Sequence, residues 1–185
     1  MAWLTGFWAY LGQQQQQTTR TLHVLLIFLV LNQFLLSNFM HVKRGAFVGS
    51  SFEMLASWLH CVEGSVMAVV ILGFVTVQFR QRGWRYYYPY LAGDLQPFYA
   101  DLRQLKSKQL PNVQPGGVAA VVQGLGLAAI LAVVLSGLVW FALWLGGIDW
   151  PWLRELHQDL TGVLIAYIVG HGGMGLLHYQ LSRID

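Results

Sequence analysis

The chain has 185 residues, 56% of them hydrophobic and only 10% charged, with a formal net charge of +3 and a mean hydropathy of +0.50. A soluble domain carries about 25% charged residues, so this composition excludes an ordinary water-soluble globule and points to a chain that spans a membrane. The single cysteine, Cys61, excludes an intramolecular disulfide.

Residues 1–19 open with an aromatic stretch, Met1 to Tyr10, that lacks the basic start of a cleavable signal peptide. The Gln13–Gln17 run after it reads as a polar tether at the membrane surface. The remainder, residues 20–185, reads as one transmembrane domain. A helix needs about 20 mostly apolar residues to cross the hydrocarbon core, and four stretches qualify: 22–40, 52–79, 117–145 and 152–179. They are too long for strands and show no two-residue alternation, so their backbones must be satisfied within helices. The segment between the second and third spans carries Trp84, Tyr86, Tyr87, Tyr88 and Tyr90 as an interfacial belt. A short surface helix is expected over Leu91 to Leu105, ended by turn residues from Pro111 to Gly117. The expected fold class is all-α, an integral membrane four-helix bundle.

Four spans place both termini on one side. Arg20, Arg80, Arg82, Arg85, Arg103, Lys106, Lys108 and Arg183 fall on that side, against Lys43, Arg44 and Arg154 on the other. Because basic residues collect in cytoplasmic loops, the termini and the central loop are expected to be cytoplasmic. Arg20, Arg80, Arg82 and Arg85 have two natural partners, anionic lipid head groups or the carboxylates of a bound cofactor, and no nucleic-acid partner is expected.

Six histidines punctuate the chain: His23, His41, His60, His157, His171 and His178. At 100° and 1.5 Å per residue, the fourteen positions from His157 to His171 place them about 40° apart in azimuth and about 21 Å apart in depth. Two haems stacked through a bilayer demand this of one helix, since each iron takes two axial ligands. C-x-x-C-H occurs nowhere, which excludes covalent attachment of the c type. In the expected topology His23 and His171 lie at one depth near the cytoplasmic face, and His60 and His157 at another near the opposite face. The third span has no histidine and is expected to serve as packing wall. Gly64, Gly162, Gly170, Gly172 and Gly173 lie near these histidines, where small residues allow close helix approach or leave room for a flat macrocycle.

The fourth span, from Leu156-His157-Gln158-Asp159-Leu160 through Gly170-His171-Gly172-Gly173-Met174 to His178, resembles the corresponding span of the bacterial cytochrome b561 family. Its superfamily includes the cytochrome b subunits of nickel–iron hydrogenases and formate dehydrogenases. The resemblance extends over all four spans. It implies a bundle binding two b-type haems in the bacterial inner membrane, ligated through His23, His60, His157 and His171, and exchanging electrons with the quinone pool. A separate redox protein or subunit is then the expected partner, because the chain has no long extramembrane segment for flavin or iron–sulfur clusters. Two rival functions differ in kind. One is a self-sufficient quinone-linked oxidoreductase acting on a small oxidant such as superoxide. The other is a haem-free anchor or transporter using histidines as proton relays.

Other residues carry weaker signals. Glu63 lies three positions inside His60, and carboxylates within spans are costly and commonly functional, which makes it a candidate proton relay. His178 and His41 share helical faces with His171 and His23. A surface role, touching a propionate, a quinone or solvent, is expected of each rather than iron ligation. Asn32, Gln33 and Asn38 are candidates for hydrogen bonds between helices, and Cys61 for a small packed residue.

Overall fold

The computed structural model describes residues 2–43 and 45–181; Arg44 and Arg183, both used in the charge count, lie outside the described residues. The helices are α1 (Ala2–Gln14), α2 (Gln17–Ser37), α3 (Ser51–Arg82), α4 (Trp84–Tyr87), α5 (Gln96–Lys106), α6 (Val118–Leu145) and α7 (Pro151–Leu181). A two-stranded hairpin, β1 (Val42–Lys43) and β2 (Ala46–Phe47), lies between α2 and α3. The chain divides into two compact units, Met1–Phe74 with Leu131–Val163 and Val75–Ile130 with Leu164–Asp185.

Among the described residues four helices are long and apolar enough to cross a membrane: α2, α3, α6 and α7, with 21, 32, 28 and 31 residues. Their exposed surfaces are apolar, as at Phe28, Val69 and Val169. Such exposure would be an aggregation hazard in water but is what lipid, the solvent of these faces, requires. The four helices differ in enclosure. Of the most apolar window, 39% is buried in α6 and only 6% in α7, so α6 is the most enclosed span and α7 the least.

Helix ends follow local chemistry. At the start of α3, Ser50 and Glu53 form a capping box: the Ser50 amide donates to Glu53 Oε2 at 2.6 Å, and the Glu53 amide donates to Ser50 Oγ at 3.3 Å. α6 ends in a Schellman pattern, with Ile148 N donating to Leu143 O at 2.9 Å and Gly147 N to Trp144 O at 3.0 Å. Gly147 takes the left-handed φ of +81° that this ending requires. α7 then opens on Pro151, whose missing amide hydrogen costs nothing in a first turn.

In the first unit the Gln run is divided: Gln13 and Gln14 end α1, Gln15 and Gln16 lie between the helices, and Gln17 opens α2. Arg20 joins the two helices by stacking 4.4 Å over the Trp8 ring. The hairpin pairs Val42 with Phe47 and Lys43 with Ala46, and Gly45 supplies the positive φ its two-residue turn needs. Trp144 Nε1 donates to Gly45 O at 2.7 Å, fixing the hairpin to the end of α6. Phe47, Trp58, Phe141 and Trp144 pack their rings together beneath it. Cys61, Trp140 and Leu153 form the buried centre of this cluster.

In the second unit the expected surface helix is interrupted. A 3-10 turn, Pro89–Ala92, ends at Gly93 in the left-handed region, and α5 restarts at Gln96 with Pro97 in its first turn. Asp101 of α5, 1% exposed, accepts hydrogen bonds from Gln114 Nε2 and, at 2.8 Å, from Val118 N. Its carboxylate therefore occupies the N-terminus of α6, where an anion is favoured. Burial raises the Tyr87 and Tyr88 hydroxyls above the usual tyrosine range, so both stay neutral donors. Tyr88 donates to Gly124 O at 2.9 Å and Tyr87 to Gln78 Oε1 at 3.3 Å.

Candidate metal centre

His60 is the tenth residue of α3 and His157 the seventh of α7, two helices whose first residues follow the hairpin and the α6–α7 turn. The two rings meet in the first unit, with centroids 6.3 Å apart and planes crossed at 89°. An imidazole nitrogen lies about 2.0–2.1 Å from a bound transition metal and about 1 Å from its own ring centre, so imidazoles on opposite sides of one ion have centroids about 6 Å apart. The observed separation is of that size.

The third span sets His157. Nδ1 of His157 donates to Val133 O at 2.9 Å, with Ser136 Oγ 3.3 Å away. A carbonyl only accepts, so Nδ1 carries the proton and Nε2 keeps its lone pair for a metal, the usual arrangement of a ligating histidine. A Cβ at Gly137 would lie 2.9 Å from His157 Cε1 and 3.0 Å from Nδ1, so only glycine lets the ring settle against α6. The third span, expected to serve as packing wall, does more than pack: the Val133 carbonyl fixes the tautomer of His157.

His60 is held from α2. Gln33, 6% exposed, donates through Nε2 to His60 O at 3.1 Å. Nδ1 of His60 is buried and finds no hydrogen-bond partner among the described residues, as does Trp140 Nε1. Buried nitrogens left unpaired are costly, which marks this region as built for a group beyond the chain itself. Among the described residues no three His, Cys, Asp or Glu side chains converge, whereas a bare structural zinc takes four protein ligands. Two neighbouring imidazoles suit a metal whose other ligands come with a macrocycle.

His23, in the first unit, stacks on Phe74 with centroids 6.0 Å apart. His171, in the second, stacks on Tyr167 four residues earlier, at 5.2 Å and 14°. Tyr167 lies directly against Gly126 of α6, where any Cβ would collide with the phenol ring. Among the described residues, Gly162, Gly170, Gly172 and Gly173 are not close-packing points, because a Cβ at any of them meets nothing within 4 Å. His41 is an exposed partner of Glu53 at 3.5 Å, and His178 Nδ1 donates to Met174 O at 3.0 Å. Glu63 accepts a hydrogen bond from Asn32 Nδ2.

Apolar helices long enough to span a membrane, two of which bring imidazoles together, are what a helical membrane cytochrome b requires. The model of the prokaryotic cytochrome b561 family matches residues 14–183, and the chain belongs to that family. No curated protein and no solved structure matches it. Membership makes this a haem b protein of the bacterial membrane whose work is transmembrane electron transfer. The residues present fit the cofactor: His60 and His157 offer two imidazoles at the right separation, one with its tautomer fixed. When bound, haem supplies the one-electron chemistry, and the protein supplies position and electrostatics.

Proposed function

We propose that this chain passes electrons between the quinone pool and a partner redox protein or subunit through two b haems, with cytoplasmic termini. His60 and His157 hold the haem nearer the outer face, and His23 and His171 hold the one nearer the cytoplasm. The observation that carries the reading is the His60–His157 juxtaposition at 6.3 Å. The second pair rests on the family resemblance and on the fourteen-residue spacing of His157 and His171. Glu63, hydrogen-bonded to Asn32 and three residues from His60, is the carboxylate placed to receive a proton when a quinol is oxidised.

The chain's own residues do the positioning. The Val133 carbonyl keeps His157 in the ligating tautomer, Gln33 ties α2 to α3 at His60, and the aromatic cluster under the hairpin packs α3, α6 and the hairpin together. The test is stopped-flow reduction of the purified protein by decylubiquinol and by a short-chain menaquinol. Haem reduction without sustained turnover, until a partner is added, is expected. Steady turnover of quinone with superoxide by the chain alone would favour the self-sufficient oxidoreductase. No reduction by either quinol would refute the quinone link.

A further inference from the structure

Two adjacent residues of α2 reach α3, and they do so differently. Gln33 is buried and bonds the His60 backbone, which is an ordinary interhelix tie. Asn32, beside it, is exposed, yet its amide donates to the Glu63 carboxylate. The surface around this pair is otherwise apolar: Phe28, Leu31 and Leu35 on α2, and Leu59, Val62 and Val66 on α3, all large exposed hydrophobics. Glu63 lies twelve residues into α3, about 18 Å from its first residue at 1.5 Å per step. α3 has 32 residues, about 48 Å at 1.5 Å per residue, so a hydrocarbon core about 30 Å thick centred on it begins about 9 Å from its first residue and takes in Glu63. A carboxylate–amide pair with an exposed amide, set in an apolar stripe at that depth, is expensive and is not needed to join the helices, since Gln33 already does that.

We propose that the Asn32–Glu63 pair is the head-group site of a lipid-soluble quinone. The carboxylate accepts from a quinol hydroxyl, the second Asn32 N–H donates to a quinone oxygen, and the isoprenoid tail lies along the apolar stripe of α2 and α3. A molecule of this class has the three properties the surface calls for: solubility in the bilayer core, a head that both donates and accepts, and redox chemistry. The site adjoins the turn of α3 that carries His60. The inference rests on the reading of the chain as quinone-linked and adds the place where the quinone docks.

The experiment uses the full-length haem-loaded protein and two variants, Asn32→Leu/Glu63→Leu and Glu63→Gln, with decylubiquinol and a short-chain menaquinol as reductants. Loss of hydrogen bonds to a charged group should raise the KM of the effective quinol about tenfold or more in the double variant, with the dithionite-reduced haem spectrum unchanged. A photoreactive azidoquinone should label residues 28–35 or 59–66 in the wild type and lose that label in the double variant. Should the double variant fail to retain haem, Glu63→Gln, which keeps the shape and the bond to Asn32, decides by the same KM and labelling. Unchanged KM with labelling elsewhere overturns the site and leaves the quinone link standing. Unchanged KM together with conversion of a dimer to monomers overturns it too, making the pair a contact between copies. If neither quinol reduces the wild type, the underlying reading fails before any variant is compared.

Discussion

Gly137→Ala adds one methyl group to α6 and isolates the role of the third span. The new Cβ would lie 2.9 Å from His157 Cε1 and 3.0 Å from Nδ1, so the imidazole must retreat by about 0.5 Å to reach ordinary carbon contact. That movement is away from α6 and lengthens the 2.9 Å bond from Nδ1 to Val133 O, while metal sites tolerate about 0.2 Å. Losing an orienting partner of this kind costs about 10–100-fold in metal affinity. Helix propensity works in the opposite direction, since alanine is about 1 kcal/mol better than glycine within a helix, so any haem loss cannot be blamed on a weakened α6. The assay is haem content by pyridine haemochrome on detergent-purified protein. The matched control is Gly73→Ala, whose Cβ meets nothing within 4 Å. Gly137→Ala should lose one haem, or convert it to a high-spin form, while Gly73→Ala keeps the wild-type spectrum. An unchanged spectrum and haem content in Gly137→Ala would refute the claim that α6 positions His157.

Asp101→Ala leaves the Gln114 amide and the Val118 N–H without their buried acceptor. At about 1–3 kcal/mol per unsatisfied group, the unfolding midpoint in detergent should fall by several degrees, and an unchanged midpoint would show that water replaces the carboxylate at no cost. For the topology, single cysteines at Val48 and Gln109 can be placed beside the buried Cys61, and intact cells treated with a membrane-impermeant maleimide. Val48→Cys should label and Gln109→Cys should not; the reverse pattern would invert the two faces.

The spans were legible because hydropathy and length are properties of the sequence itself, and the four stretches stand out against loops rich in charge and aromatic residues. His60 and His157 were legible as neighbours because each sits a few turns into a helix entered from the same side. What was not legible belongs to the backbone. The Val133 carbonyl leaves no trace in residue type, and the glycine that matters to His157, Gly137, is far from it in sequence. The glycines nearest His157 and His171 in sequence, Gly162 beside the first and Gly170, Gly172 and Gly173 beside the second, make no close approach among the described residues. The hairpin was missed because its strands are only two residues each, too short for any alternation to register, although Gly45 marks its turn. Asn32 was visible as a polar residue in a span, but its choice of Glu63 as partner depends on the register between α2 and α3.

The central claim concerns two imidazoles on one iron, and haem stoichiometry in histidine variants tests it most directly. Pyridine haemochrome and low-temperature EPR on the purified chain should give two b haems, both six-coordinate and low-spin. His60→Ala and His157→Ala should each lose the same single haem and keep the other. One haem per chain in the wild type, or variants at His60 and His157 that lose different haems, would contradict the account.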